Sequence, residues 1–147
     1  MSTDRADQYE CTERILEVTP DALVVSNIGV ASYVLAGVED RDRNFYQWGS
    51  MGSTIPIGIG MAHSTDEQVT VIDGDGSTLM GLSALVTAAG ADPSNLVIVV
   101  MNNGRFATTG GQPTLASAVD FAAAARSCGF QSAHAVTADT FEQEYRR

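Results

Sequence analysis

VTVIDGDGSTLMGLSAL, residues 69–85, followed after ten residues by LVIVVMNNGRFATTGGQPT, residues 96–114, is the stretch that decides the fold. The β-branched run at residues 69–72 is too short for a helix and reads as a strand, and residues 73–77 read as a tight glycine-rich loop. Residues 78–89 carry a helical pattern. Residues 96–101 are six apolar side chains in a row, which predicts a strand buried on both faces of a sheet, and residues 102–114 form a second glycine-rich loop. A strand, a helix and a second strand in this order imply a right-handed crossover and a parallel pair. Both loops then leave the sheet at its carboxyl edge, where open α/β sheets gather ligands.

The same alternation extends in both directions. Thr3 or Asp4 is suited to cap a helix running to about Val18, and Thr19-Pro20-Asp21 breaks it before a strand over residues 22–26. A helix follows Gly29. The aromatic run NFYQW at residues 44–48 reads as an extended edge, and Gly49-Ser50-Met51-Gly52 turns into a helix over residues 54–62 with Pro56 in its first turn. Beyond the second loop, residues 116–127 are alanine-rich and helical, a short strand is expected near residues 132–136, and a last helix starts at Asp139. The expectation is one α/β domain over residues 1–147, with an open, mostly parallel sheet covered by helices on both faces.

Composition narrows the function. The 147 residues carry a formal charge of -10, which opposes nucleic-acid phosphates and anionic membrane surfaces. With 44% hydrophobic and 18% charged residues, the chain has material for one core. No apolar run approaches the ~20 residues of a membrane span, and MSTDRADQYE has no signal-peptide character, so a cytoplasmic protein is expected. The acidic excess also fits a high-salt cytoplasm. Cys11 and Cys128 are far apart, without a C-x-x-C pair or a histidine cluster, and read as small core residues. His63 and His134 stand alone, without an orienting partner visible in the sequence.

The chemistry lies in the two loops. Gly74-Asp75-Gly76-Ser77 opens a helix with free amide groups that suit a phosphate. Asp75 would repel that phosphate unless a hard divalent cation such as Mg²⁺ lies between them. Asn102-Asn103-Gly104 offers neutral oxygens to complete the shell of such a cation. Taken singly, each loop has a plain alternative, since glycine, aspartate and asparagine also make ordinary turns. The two together at one sheet edge point to metal plus diphosphate.

G-D-G followed by N-N, with 25 residues between Gly76 and Asn102, resembles the cofactor-binding motif of thiamine diphosphate (ThDP) enzymes. NFYQWGSMGSTIPIGIGMA and MNNGRFATTGGQPT are similar to segments of that family's sulfopyruvate and phosphonopyruvate decarboxylase branch, and the likeness covers roughly residues 22–130. The resemblance implies Asp75, Asn103 and the carbonyl of Arg105 as metal ligands, and Gly74, Gly76 and Ser77 at the diphosphate. Asn102 would shape the turn. It further implies that Gly49, Ser50 and Met51 meet the aminopyrimidine, the Gly49 carbonyl by a hydrogen bond and Met51 as the wedge that bends the cofactor. Thr108, Thr109 and Gln112 flank the same loop and have two readings, as lining of the pocket or as partners for backbone groups.

A complete family site also has a pyrimidine-binding domain with a glutamate that protonates the cofactor ring, and these residues do not supply it. The resemblance therefore implies a β-type subunit of a 2-oxo acid decarboxylase, working with ThDP, Mg²⁺ and a pyrimidine-binding α-type partner in a hetero-oligomer with a homodimeric core. It also implies one more strand after EQEYRR, so a domain lacking the family's last strand is expected. A non-catalytic ThDP-binding subunit and a subunit of acetolactate synthase type are the alternatives. A nicotinamide Rossmann enzyme is disfavoured, because Leu79 stands where G-x-G-x-x-G needs its last glycine and Met101-Asn102 ends the next strand without an acidic residue.

Overall fold

The structure is a computed structural model and describes residues 7–147. Four parallel strands form the sheet: β1 (Leu23–Ser26), β2 (Asn44–Tyr46), β3 (Val69–Gly74) and β4 (Leu96–Met101), in the order β2-β1-β3-β4. The chain passes from β1 to one side and then returns to continue on the other, so the order reverses between β1 and β3. Their carboxyl ends lie side by side, Ser26 opposite Ile72, and β3 runs level with β4 from Val69 opposite Leu96 to Gly74 opposite Met101.

Among the described residues seven α-helices cover the sheet: α1 (Gln8–Val18), α2 (Val30–Val38), α3 (Thr54–Ala62), α4 (Asp75–Met80), α5 (Ala84–Ala91), α6 (Phe121–Cys128) and α7 (Ala138–Tyr145). Alternation along the strands divides the core in two. Val25, Val69 and Val71 pack with Ile55 and Ile59 of α3, Leu85 and Ala88 of α5, and Ala125 and Cys128 of α6. Val24 and Ile72 face the other way, onto Cys11, Ile15 and Leu16 of α1, Leu35 of α2 and Phe141 of α7. Successive strand residues point to opposite faces, so runs of valine and isoleucine build both layers at once. Gly58 lets α3 lie close on β3, since a Cβ there would fall 2.1 Å from the Val71 side chain.

Several expectations need correction. Asp7 caps α1, accepting the Tyr9 amide at 2.8 Å, while the expected caps Thr3 and Asp4 lie outside the described residues. The tight loop at residues 73–77 is replaced by a direct strand-to-helix junction: β3 runs through Gly74, and α4 begins at Asp75. Asp73 holds this junction by accepting the Gly74 amide at 3.0 Å and the Thr78 hydroxyl at 2.9 Å. The helix expected over residues 78–89 is two helices, broken at residues 81–83. There Gly81 backs onto Gly52, and a Cβ on Gly81 would lie 2.3 Å from the Gly52 carbonyl oxygen.

All of β4 is half-buried rather than fully covered, because it is the edge of the described sheet. The second loop contains an antiparallel ribbon of β5 (Arg105–Phe106) and β6 (Gln112–Pro113). The helix expected over residues 116–127 is a 3-10 turn, Ala116–Ala118, and then α6, which Asp120 caps by accepting the Ala123 amide at 2.9 Å. Residues 132–136 form no strand. Arg126 donates to the Ala133 carbonyl at 2.6 Å, tying this segment to α6 instead of to a ladder. Cys11 is buried and Cys128 half-buried, and both are free thiols. Among the described residues no helix is long and apolar enough to cross a membrane.

Candidate functional site

A cleft opens beyond the carboxyl ends of β1, β3 and β4, at the place where strand order reverses. Nine of the thirteen candidate site residues line it, namely Met51, Gly74, Asp75, Gly76, Ser77, Asn103, Arg105, Thr108 and Thr109, while Asn102 and Gln112 fall outside. Gly49 and Ser50 do not line it either. Both belong to the turn beside the cleft, and their carbonyls accept from the Gln47 side-chain amide.

Asp75 is the first residue of α4 and only 2% exposed. The Thr114 hydroxyl donates to its Oδ2, and among the described residues nothing donates to its Oδ1. Asn103 is the second residue after β4. Its Oδ1 accepts the Arg105 amide at 2.8 Å and so shapes the turn, a role the sequence reading gave to Asn102. A carbonyl oxygen has two lone pairs, which leaves Asn103 one for another partner. No group of three or more histidine, cysteine or acidic residues is arranged to hold a metal among the described residues. One buried carboxylate beside neutral oxygens is nonetheless the donor set that suits Mg²⁺, which is commonly held by one or two carboxylates together with phosphate oxygens. The residues present therefore fit the metal and diphosphate that the loops suggested.

Glycines here answer to packing. A Cβ at Gly76 would lie 2.3 Å from the Phe106 ring, and one at Gly29, with φ +82°, would lie 2.2 Å from the Thr108 hydroxyl. The segment after β4 thus folds back over both the start of α4 and the turn after β1. Met51 sits between Ser50 at φ +63° and Gly52 at φ +89°. Positive φ is uncommon for serine and marks a turn held by its surroundings. The surroundings are Ser77, which is fully buried and accepts the Gly52 amide at 2.9 Å, and the contact of Gly52 with Gly81. Ser77 therefore joins the helix at Asp75 to the turn that presents Met51.

Sequence reading missed a buried polar layer under the cleft. Thr54, fully buried, approaches Gln47 Oε1 at 2.7 Å, Asp73 Oδ1 at 3.1 Å and Asn27 Oδ1 at 3.4 Å. One hydroxyl proton cannot serve three oxygens. Burial raises the pKa of Asp73 above the ordinary carboxylate value, against the opposing pull of hydrogen bonds from Ser77, Thr78, Gly74 and Thr54. A proton on Asp73 would also relieve the crowding of acceptors. Asn27 directly follows β1, at the edge where Asp73-Gly74 ends β3, and it lines the cleft. Asking which side chain closes each strand at the carboxyl edge would have found both. His63 and His134 lie away from the cleft; His134 faces Ser132 and Glu144 instead.

Comparison with known proteins fits this geometry. Residues 27–147 match the family described as thiamine pyrophosphate enzyme, C-terminal TPP binding domain. The chain is 45% identical over 137 residues to sulfopyruvate decarboxylase subunit beta of Methanothermobacter thermautotrophicus, covering 93% of this chain and 74% of that one. It is 46% identical over 137 residues to phosphonopyruvate decarboxylase of Streptomyces viridochromogenes, covering 92% of this chain but only 34% of that protein. The chain thus spans about a third of that relative's length. Among solved structures, a candidate thiamin diphosphate-dependent enzyme from Mycobacterium smegmatis superposes with a TM-score of 0.73 at 24% identity, over 97% of this chain and 29% of that one. That likeness speaks for the fold.

Proposed function

This chain belongs to the thiamine pyrophosphate enzyme family through its C-terminal TPP binding domain, and from that premise we propose that it is the diphosphate- and Mg²⁺-binding subunit of a 2-oxo acid decarboxylase. The single observation that carries the reading is the pairing of Gly74 with Met101, which brings Asp75 and Asn103 to one cleft from neighbouring strand ends.

In this reading Asp75, the Asn103 side chain and the Arg105 carbonyl hold Mg²⁺, and the backbone at Gly74, Gly76 and Ser77 meets the diphosphate. Helix geometry leaves the first amides of α4 without intrahelical partners, so they are free to face an anion. Met51 supports the bent cofactor, fixed in place by the Ser77–Gly52 bond. The Gly49 carbonyl keeps a lone pair beyond the one facing Gln47, and that lone pair takes the aminopyrimidine, with Ser50 shaping the approach. Thr108 closes the cleft beside Gly29. When bound, ThDP supplies the electron sink for loss of CO₂ from a 2-oxo acid.

The relatives named as β subunits support an α-type partner that carries the pyrimidine-binding domain and its glutamate, in a cytoplasmic hetero-oligomer. Substrates with a sulfonate or phosphonate tail are the first to test. The test is CO₂ release from sulfopyruvate and phosphonopyruvate by the assembly containing this chain, with ThDP affinity followed by calorimetry. Asp75→Ala is expected to remove Mg²⁺-dependent ThDP binding and turnover together. ThDP affinity retained in that variant would overturn the metal assignment.

A further inference from the structure

Thr114 touches both halves of the candidate metal site, although it lies 39 residues from Asp75. Its hydroxyl accepts the Ala116 amide at 3.3 Å, which directs the single hydroxyl proton away from that amide and onto Asp75 Oδ2. Its own amide donates to the Gly104 carbonyl at 3.0 Å, between Asn103 and Arg105. Thr114 is 7% exposed and follows β6, the ribbon strand that pairs with β5 at Arg105 opposite Pro113. One ribbon thus carries Arg105 on one strand, with Asn103 two residues before it, and the clamp on Asp75 just past the other.

We infer that Thr114 is the positioning residue for the metal site, holding the Asp75 carboxylate with Oδ1 open while it pins the Asn103–Arg105 turn against the same carboxylate. The inference rests on the metal reading above and adds a residue to it. A carboxylate without this donor is free to rotate, and a turn without the Gly104 bond has no fixed distance from Asp75. Both losses fall on the cation, because partners that orient a metal ligand set its affinity.

The test is a Mg²⁺ titration of the assembly containing this chain, at fixed ThDP, in Thr114→Val, Thr114→Ser and Asp75→Ala, with thermal unfolding in the absence of metal as the fold control. Thr114→Val keeps the shape and loses the proton, and it is expected to weaken Mg²⁺ about 10–100-fold, with ThDP binding recovered at high Mg²⁺. Thr114→Ser keeps the proton and is expected to bind Mg²⁺ close to the parent. Parent-like Mg²⁺ affinity in Thr114→Val, beside a dead Asp75→Ala, would overturn the role of Thr114 and leave the metal site standing. Equal weakening in Val and Ser would overturn it too, assigning the effect to methyl packing. Mg²⁺ affinity surviving in Asp75→Ala would remove the metal reading itself. Should the valine variant fail to fold, Thr114→Ala against Thr114→Ser makes the same comparison, and parity between those two overturns the proposal.

Discussion

Gly81→Ala isolates the contact that aims Met51. Gly81 has φ -112° and ψ 30°, a conformation open to alanine, so the penalty of the added methyl is steric and not one of backbone strain. The new Cβ would stand 2.3 Å from the Gly52 carbonyl oxygen and 2.8 Å from its Cα. Ordinary non-bonded contact requires the Gly52 turn to retreat by on the order of 1 Å. Overpacking of this kind costs about 1–3 kcal/mol, which for a domain of this size lowers Tm by roughly 3–10 °C. A reacting group displaced by 1 Å loses on the order of 10²-fold in rate, so kcat/KM for CO₂ release should fall by that factor. Mg²⁺ affinity should hold, since Asp75 lies at the opposite end of α4 from Gly81 and Asn103 lies beyond β4. The assays are calorimetric unfolding, a Mg²⁺ titration and steady-state decarboxylation in the assembly. An unchanged Tm would mean that Gly52 and Gly81 are not in contact. A lowered Tm with full activity would mean that the turn does not position the chemistry.

Met51→Ala should leave Mg²⁺ affinity near the parent value and slow turnover on the order of 10-fold, because it removes the wedge and leaves the metal loops alone; parallel loss of both would reduce Met51 to packing. Tyr145→Phe should cost roughly 1–3 kcal/mol in urea unfolding at neutral pH, since the buried Thr70 hydroxyl loses its partner at 2.8 Å. Burial raises the Tyr145 pKa above the ordinary tyrosine value, against hydrogen bonds from Thr19 and Thr70 that pull it down. The unfolded chain therefore deprotonates first as pH rises, and the stability that Tyr145 adds is whole below about pH 10 and lost as pH climbs through the folded value. The gap between parent and Phe variant should narrow above pH 10, and a gap that stays constant would refute the linkage.

How much of this was legible in the sequence depended on the range of the controlling contacts. The strand at residues 96–101 and the helix at residues 54–62 were read with the boundaries the structure shows, because short apolar runs and a first-turn proline are local signals. The helix break at residues 81–83 was not legible, since its cause is Gly52, remote in sequence and adjacent in space. The ribbon of β5 and β6 was hidden for a similar reason: two-residue strands leave no periodicity to read. At the site, the resemblance and the spacing named residues that do share a cleft, yet neither could reveal that Gly76 is glycine because Phe106 fills its Cβ position. The Asp73 layer is not legible because aspartate and glycine at residues 73–77 have the chemistry of a turn, whereas β3 continues through Gly74 and buries Asp73.

The outer flank of β4 has a practical meaning for anyone handling the protein. Six uncharged residues, LVIVVM, run along it half-covered, paired with β3 on one side and with no other strand among the described residues. An open, apolar ladder without lysine or proline is a template for a second chain. Concentrated solutions of this polypeptide by itself should therefore cloud or oligomerise as salt is added, because salt screens the mutual repulsion set up by a net charge of -10. A single lysine in place of Val97 should keep them clear.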